Sequence, residues 1–178
     1  LFIKAGSCVV PLDDGFTLVE GKGDVHYEAE IAVLIGKPLS RTPNAEEVRD
    51  AISGFAPALD LTLRDLQARL KEKGYPWETA KSFDGACVLA PFVPGDAVED
   101  LTDIGIRLSI NGELRQDGNS RDMLNPILPM IQHICGHFSL QPGDVILTGT
   151  PVGVGPLHKG DELVLELVGH SRFASRAL

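Results

Sequence analysis

The chain is 178 residues long, with 43% apolar and 23% charged residues, the composition of one soluble globular domain and of neither a disordered tail nor a fibre. A chain of this length buries roughly 70% of its unfolded surface and needs neither disulfides nor a structural metal merely to stay folded. With 16 Lys and Arg against 25 Asp and Glu, the net charge of -9 argues against a nucleic-acid backbone or an anionic membrane as partner and leaves a metal cation or a small ligand open.

The first predicted element is VHYEAEIAVLIG, Val25 to Gly36, where alternation gives way to a continuous apolar run between GKGD and Gly36-Lys37-Pro38. That pattern is a strand entering the core. Thr42 as N-cap, Pro43 at the first helical position and Gly54 past the end predict a short helix through NAEEVRDAIS, acidic at its start. Gly54 to Thr62 reads as a second apolar strand, with Pro57 placing it at a sheet edge or a bulge. RDLQARLKEKG follows as a helix, with Thr62 or Asp60 near its cap and Gly74 beyond its end. After a loop through YPWETAKSFDG, the segments IGIRLSI and ELRQDG flank Asn111-Gly112, the signature of a type I′ hairpin. Pro126 and Pro129 break the early part of DMLNPILPMIQHICGHF, so a helix is expected from about Pro129 to Phe138. DVILTGT, PVGVGP, DELVLELVG and RFASRAL complete the chain as strands and turns.

These elements, with 19 glycines and 12 prolines, predict one β-rich α+β domain and exclude a helical bundle. Cys8, Cys87 and Cys135 are odd in number and form no CxxC pair, so they read as free, mostly buried thiols of a reducing compartment. The start LFIKAGSCVV lacks a signal-peptide pattern and no apolar run is long enough for a bilayer, which makes the cytoplasm the expected location. Leu1 opens without Met straight into an apolar segment, and a natural beginning further upstream is expected.

Glu28 and Glu30 form the most informative pair, because a period-2 strand puts both on one face with Cα atoms about 7 Å apart. On spacing alone they are either an ordinary solvent-facing strand edge or two ligands of a hard divalent cation, the usual way to neutralise buried like charges. Asp60 ends an apolar strand just before a helix, where sites gather in sheet proteins, and the same place suits a helix N-cap. Lys81, in its loop, is a cation facing an anionic substrate or a solvated lysine. His133 and His137 are four apart, but Ile134 follows His133, so the HExxH pattern lacks its base and the pair reads as non-ligand. GTPVGVG has neither GxGxxG spacing nor a GK[ST] end and reads as a tight turn, and the absence of GxSxG weakens an α/β-hydrolase reading.

Taken in order, HYEAEIAVLIG, ALDLTLRDLQ, GYPWETAKSFD, NGELRQDG, PGDVILTGTPVGVGPL and KGDELVLELVG resemble the fumarylacetoacetate hydrolase family over nearly the whole chain. The likeness is to its small single-domain prokaryotic and mitochondrial members that act on acylpyruvates. It implies one catalytic domain over residues 1–178, a roll of mixed β-sheets with short flanking helices, usually a homodimer, without the family's N-terminal lid segment. By the resemblance, Glu28, Glu30 and Asp60 match three carboxylate ligands of Mg²⁺ or Mn²⁺. Lys81 matches a lysine that supports the bound substrate and its developing negative charge, and Thr150 a threonine that hydrogen-bonds substrate or that lysine. Arg64 and Gln67 match a substrate-side polar pair, although Arg64 equally suits bracing the carboxylates from behind.

The implied reaction is hydrolysis of the C–C bond of 2,4-dioxo acids such as fumarylpyruvate to pyruvate and a carboxylic acid, in the setting of aromatic catabolism. Such an acid chelates the cation through its carboxylate and 2-oxo oxygen, and the cation stabilises the enolate of pyruvate. The alternatives are an oxaloacetate decarboxylase or 2-oxo-diacid isomerase working through the same enolate, or a non-catalytic metal-binding relative. The expected partner is a small 2-oxo acid. The family's catalytic His and nearby Glu, upstream of the FIK stretch, match none of His26, His133, His137, His158 and His170, so the general base is expected upstream of Leu1. Ala5 stands where the family often has Pro, a change that affects a turn more than the chemistry.

Overall fold

The computed structural model describes residues 1–13 and 15–178. In chain order its elements are β1 (Val9–Pro11), β2 (Val25–Tyr27), β3 (Ala29–Ile35), α1 (Ala45–Ala51), β4 (Ile52–Asp60), β5 (Thr62–Leu63), α2 (Arg64–Glu72), α3 (Glu78–Lys81) and β6 (Cys87–Leu89). They continue with β7 (Val93–Pro94), β8 (Gly105–Ile110), β9 (Glu113–Asn119), α4 (Ile127–Cys135), β10 (Val145–Leu147), β11 (Gly155–Pro156), β12 (Glu162–Leu167) and β13 (Ser171–Arg176). The result is a strand-rich α+β fold with short helices, as the patterning predicts.

The apolar strands β3 and β4 are the centre of the largest sheet, whose order is β1-β6-β4-β3-β10 with β7 also on β4. Every residue of β3 but Leu34 is buried, because neighbours cover both of its faces. A second sheet, β11-β2-β5, and a third, β13-β12-β8-β9, complete the roll, with β12 touching β4 and β8 touching β3 across the core.

The single strand expected from Val25 to Gly36 divides at Glu28. β2 pairs with β5 and β11, whereas β3 pairs with β4 and β10, so the chain changes sheets at that residue. Pro57 differs from expectation too: it lies mid-strand in central β4, opposite Ile31. Its carbonyl accepts the Ala90 N–H, so its nitrogen faces the gap between the end of β6 at Leu89 and the start of β7 at Val93, where no donor is needed.

Helix boundaries shift by a few residues for local reasons. Asn44, not Thr42, caps α1 in a capping box with Glu47. Neither Asp60 nor Thr62 caps α2, whose N-cap is Leu63 without a side-chain bond. Lys81 ends the short helix α3 and is not in a loop. α4 begins at Ile127, with Pro129 inside its first turn, where an N–H has no intrahelical acceptor to lose, and ends at Cys135 instead of Phe138. The hairpin is as expected, with Asn111 at φ 53° and Gly112 at φ 80° joining β8 to β9.

All three cysteines are free and buried, and burial pushes the Cys87 thiol up to about 12, which makes it a poor nucleophile. Among the described residues no helix is long and apolar enough to cross a membrane.

The segment after β10 is held against β9 by two close approaches at glycines, one to a side chain and one to backbone. A Cβ on Gly118 would lie 2.6 Å from Pro151, and one on Gly153, at φ +103°, would lie 2.1 Å from the Arg115 carbonyl oxygen. Gly153→Ala is therefore expected to lower stability by about 2 kcal/mol or more, read as a reduced urea midpoint; a midpoint equal to wild type would refute the docking.

Candidate metal centre

Three strand termini bring the acidic residues together. Glu28 is the residue between β2 and β3, Glu30 is the second residue of β3, and Asp60 is the last of β4. The Asp60 N–H donates to the Glu28 carbonyl at 2.8 Å, which aligns the ends of the two strands. One carboxylate oxygen from each of the three lies within 4.8 Å of the others, and the residues are 8%, 4% and 1% exposed.

Three cations surround this cluster. Lys81, 2% exposed, donates to Glu28 Oε2 at 2.8 Å, to Asp60 Oδ2 at 2.7 Å and to the Thr62 hydroxyl at 2.6 Å, which uses all of its protons. Lys4 donates to the other Asp60 oxygen at 2.7 Å and to the Lys81 carbonyl. Arg64 donates to Glu28 Oε1 at 2.5 Å and to Gln67 Oε1 at 2.6 Å. Sequence reasoning missed Lys4 and Thr62. Lys4 reaches the site because β1 runs parallel to β6, a pairing between distant segments, and its only local signal is the FIK stretch.

Glu30 stands apart from this pairing. Among the described residues its one hydrogen bond is the Gly149 N–H on Oε2, at 2.6 Å, and no side-chain cation touches it. Burial, reinforced by the neighbouring Asp60 charge, pushes its carboxyl up to about 8. For Glu28 burial acts in the same sense, but the charges and hydrogen bonds of Lys81 and Arg64 outweigh it and hold the carboxyl below its ordinary value. A buried carboxyl with no side-chain cation bonded to it among the described residues, beside two oriented carboxylates, fits a divalent cation with oxygen ligands that would replace its proton.

The cluster opens into a cavity of about 760 Å³ that Lys4, Gln67, Lys81 and Thr150 also line. Its apolar walls come from Ile134, Phe138 and Leu140, from Val145 and Leu147 of β10, and from Phe2, whose ring lies 6.2 Å from that of Trp77 and 5.4 Å from Lys81 Nζ. Arg64 braces Glu28 and is not among the lining residues, while Gln67 is. Thr150 does not bond the lysine. Its hydroxyl donates to the Ala29 carbonyl at 2.9 Å and accepts from Gln116, and Thr62 is the threonine on Lys81. His133 and His137 are exposed, with ring centroids 4.9 Å apart, and lie outside the acidic cluster.

The fumarylacetoacetate (FAA) hydrolase C-terminal family model matches residues 1–176. The chain is 47% identical over 172 residues to the oxaloacetate tautomerase YcgM of Escherichia coli, spanning 96% of this chain and 78% of that protein. It is 37% identical over 163 residues to the human mitochondrial oxaloacetate tautomerase FAHD1, spanning 92% of this chain and 73% of that one. Among solved structures, fumarylpyruvate hydrolase from Pseudomonas aeruginosa in complex with Mn²⁺ and pyruvate superposes with a TM-score of 0.93 at 31% identity, covering 99% of this chain and 77% of its own. Matched from its first residue to within two of its last, and sharing both sequence and fold with these proteins, the chain belongs to the fumarylacetoacetate hydrolase family.

Proposed function

We propose that this protein is a divalent-metal-dependent enzyme of 2-oxo acids, and that its reaction is the keto–enol interconversion of oxaloacetate. The observation that carries the proposal is the convergence of three buried carboxylates at the polar end of the cavity, with Glu30, among the described residues, hydrogen-bonded to a backbone N–H and to no side-chain cation. Glu28, Glu30 and Asp60 would hold Mg²⁺ or Mn²⁺, and such a cation polarises a 2-oxo group and lowers the cost of negative charge on its oxygen. The chain's own cations hold the ligands ready: Lys81 and Arg64 keep Glu28 ionised, and Lys4 and Lys81 grip Asp60 by opposite oxygens. Preset in this way, the carboxylates need little reorganisation during the reaction. Tautomerisation breaks the C3–H bond and forms an O–H bond with no net change in atoms, so it asks of the site only charge stabilisation and proton transfer. The names of the Escherichia coli and human relatives support oxaloacetate as substrate.

A second reading, hydrolysis of acylpyruvates, draws on the apolar walls of the cavity, which offer more room than oxaloacetate needs, and on the Pseudomonas aeruginosa relative. The two readings separate in one assay. The ultraviolet absorbance of the oxaloacetate enol is followed with Mg²⁺, with Mn²⁺ and with chelator, against protein-free controls, and acetylpyruvate and fumarylpyruvate are followed in parallel. Accelerated enol–keto relaxation that chelator and Glu28→Gln both abolish is the expected result. Loss of the diketo chromophore with release of pyruvate, and no effect on oxaloacetate, would put hydrolysis in its place; no effect on any substrate would refute both.

A further inference from the structure

Gln116 is the one buried residue of β9, at 1% exposure, in a strand whose other residues are exposed or half-buried. A β-bulge turns it inward. Leu108 of β8 pairs with Gln116 and Ser109 with Leu114, which leaves Arg115 as the extra residue, and bulges re-aim side chains in this way. The re-aimed amide reaches another sheet. Its oxygen accepts the Ala29 N–H at 2.9 Å, and its nitrogen donates to the Thr150 hydroxyl at 2.8 Å and to the Pro151 carbonyl at 2.9 Å. Thr150 closes the ring by donating to the Ala29 carbonyl at 2.9 Å.

The ring lies where β10 parts from β3. The ladder between them runs from Val145↔Leu34 to Leu147↔Ala32 and ends with the Thr148 N–H on the Ile31 carbonyl. The next backbone groups on that edge of β3 are the N–H and C=O of Ala29, the residue between Glu28 and Glu30. Buried backbone groups need partners, and these two are met by Gln116 and Thr150 in place of a strand. The segment after Thr148 is thereby released from the ladder, and its Gly149 N–H turns onto the Glu30 carboxylate.

We propose that Gln116 is a positioning residue of the metal site: its amide fixes the segment carrying Gly149 and Thr150 to the backbone between the two glutamates, and so sets the distance between Glu30 and the other carboxylates. The proposal rests on the reading of Glu28, Glu30 and Asp60 as cation ligands. Partners that orient metal ligands change affinity by roughly 10- to 100-fold when removed.

The test titrates Mn²⁺ by electron paramagnetic resonance at one fixed pH of about 7.5 for all variants, alongside urea unfolding and activity against Mn²⁺ concentration. Gln116→Met is expected to weaken Mn²⁺ binding at least about tenfold. Most of the activity loss should then lie in the Mn²⁺ concentration for half-maximal rate, with kcat at saturating Mn²⁺ much less changed. Val48→Ala, in the buried face of α1, lowers the urea midpoint at a distance from the ring and should leave Mn²⁺ affinity within about twofold. Thr150→Val removes the hydroxyl that Gln116 grips and carries the test if Gln116→Met does not fold, with the same expected loss. Wild-type affinity in Gln116→Met or Thr150→Val, or an equal loss in Val48→Ala, overturns the role of Gln116 alone. A wild-type chain that binds no Mn²⁺ overturns the metal reading and this inference with it.

Discussion

Lys81→Met is expected to destabilise the metal-free protein by about 3 kcal/mol and to slow turnover at least about 100-fold. The substitution keeps the apolar stem and deletes the ammonium that Glu28, Asp60 and Thr62 share, all of them buried. Arg64 and Lys4 still hold the outer oxygens of the two carboxylates, so the inner oxygens alone lose their partner. Removing one member of a buried charge network costs more than the network itself contributes, because the survivors keep their desolvation penalty. A divalent cation would return part of that lost compensation. Mn²⁺ should therefore raise the melting temperature of Lys81→Met by more than it raises that of wild type, even though turnover stays low. Thermal unfolding with and without Mn²⁺ checks this, and equal stability of the two proteins in chelator would count against the charge network as drawn.

The second large effect is on pH. In the metal-free protein the Glu30 carboxyl, pushed up to about 8 by burial and by Asp60, is protonated at neutral pH, and a cation must displace that proton to bind. Affinity for Mn²⁺ should fall by about tenfold for each pH unit below about 8 and level off above it. Glu28 is held below its ordinary value and stays ionised through this range, so it adds no slope. The same shift has a consequence for stability. Between the unfolded value near 4.5 and the folded value of about 8 the native state binds the extra proton, so the metal-free protein should lose stability as pH rises through that interval. The loss is on the order of a few kcal/mol, and saturating Mn²⁺ should reverse it at the alkaline end. Urea unfolding at stepped pH, with chelator and with Mn²⁺, measures both slopes. A metal affinity that is flat from pH 6 to 8 would show that Glu30 carries no displaceable proton in this range and that its carboxyl is not raised as described.

Much of this site is legible in local pattern. The ExE spacing of Glu28 and Glu30 follows from the two-residue period of a strand, and Asp60 from the end of an apolar run. The Asn111-Gly112 hairpin follows from left-handed backbone angles that few other dipeptides tolerate. What escaped local reading depends on contacts between distant segments. Lys4 meets Asp60 across 56 positions and Gln116 meets Ala29 across 87, and neither side chain carries a mark that distinguishes it from a surface residue. Pro57 misled for a related reason. Proline in a strand points to an edge only when both sides must donate, and the interruption between β6 and β7 that frees it belongs to another part of the chain. Arg64 sits on a helix whose spacing to Gln67 is plain, but only the fold shows that it turns to Glu28 while Gln67 faces the cavity.

On the proposed reading, Glu28, Glu30 and Asp60 hold a divalent cation at the polar end of the cavity. Anomalous diffraction at the manganese edge, from crystals grown with Mn²⁺ and oxalate, tests it most directly. One peak is expected at coordinating distance, about 2.1 Å, from an oxygen of each of the three carboxylates, and no peak there in Glu30→Gln. Manganese bound elsewhere with Lys81 still bridging Glu28 and Asp60, or an unchanged peak in Glu30→Gln, would refute it.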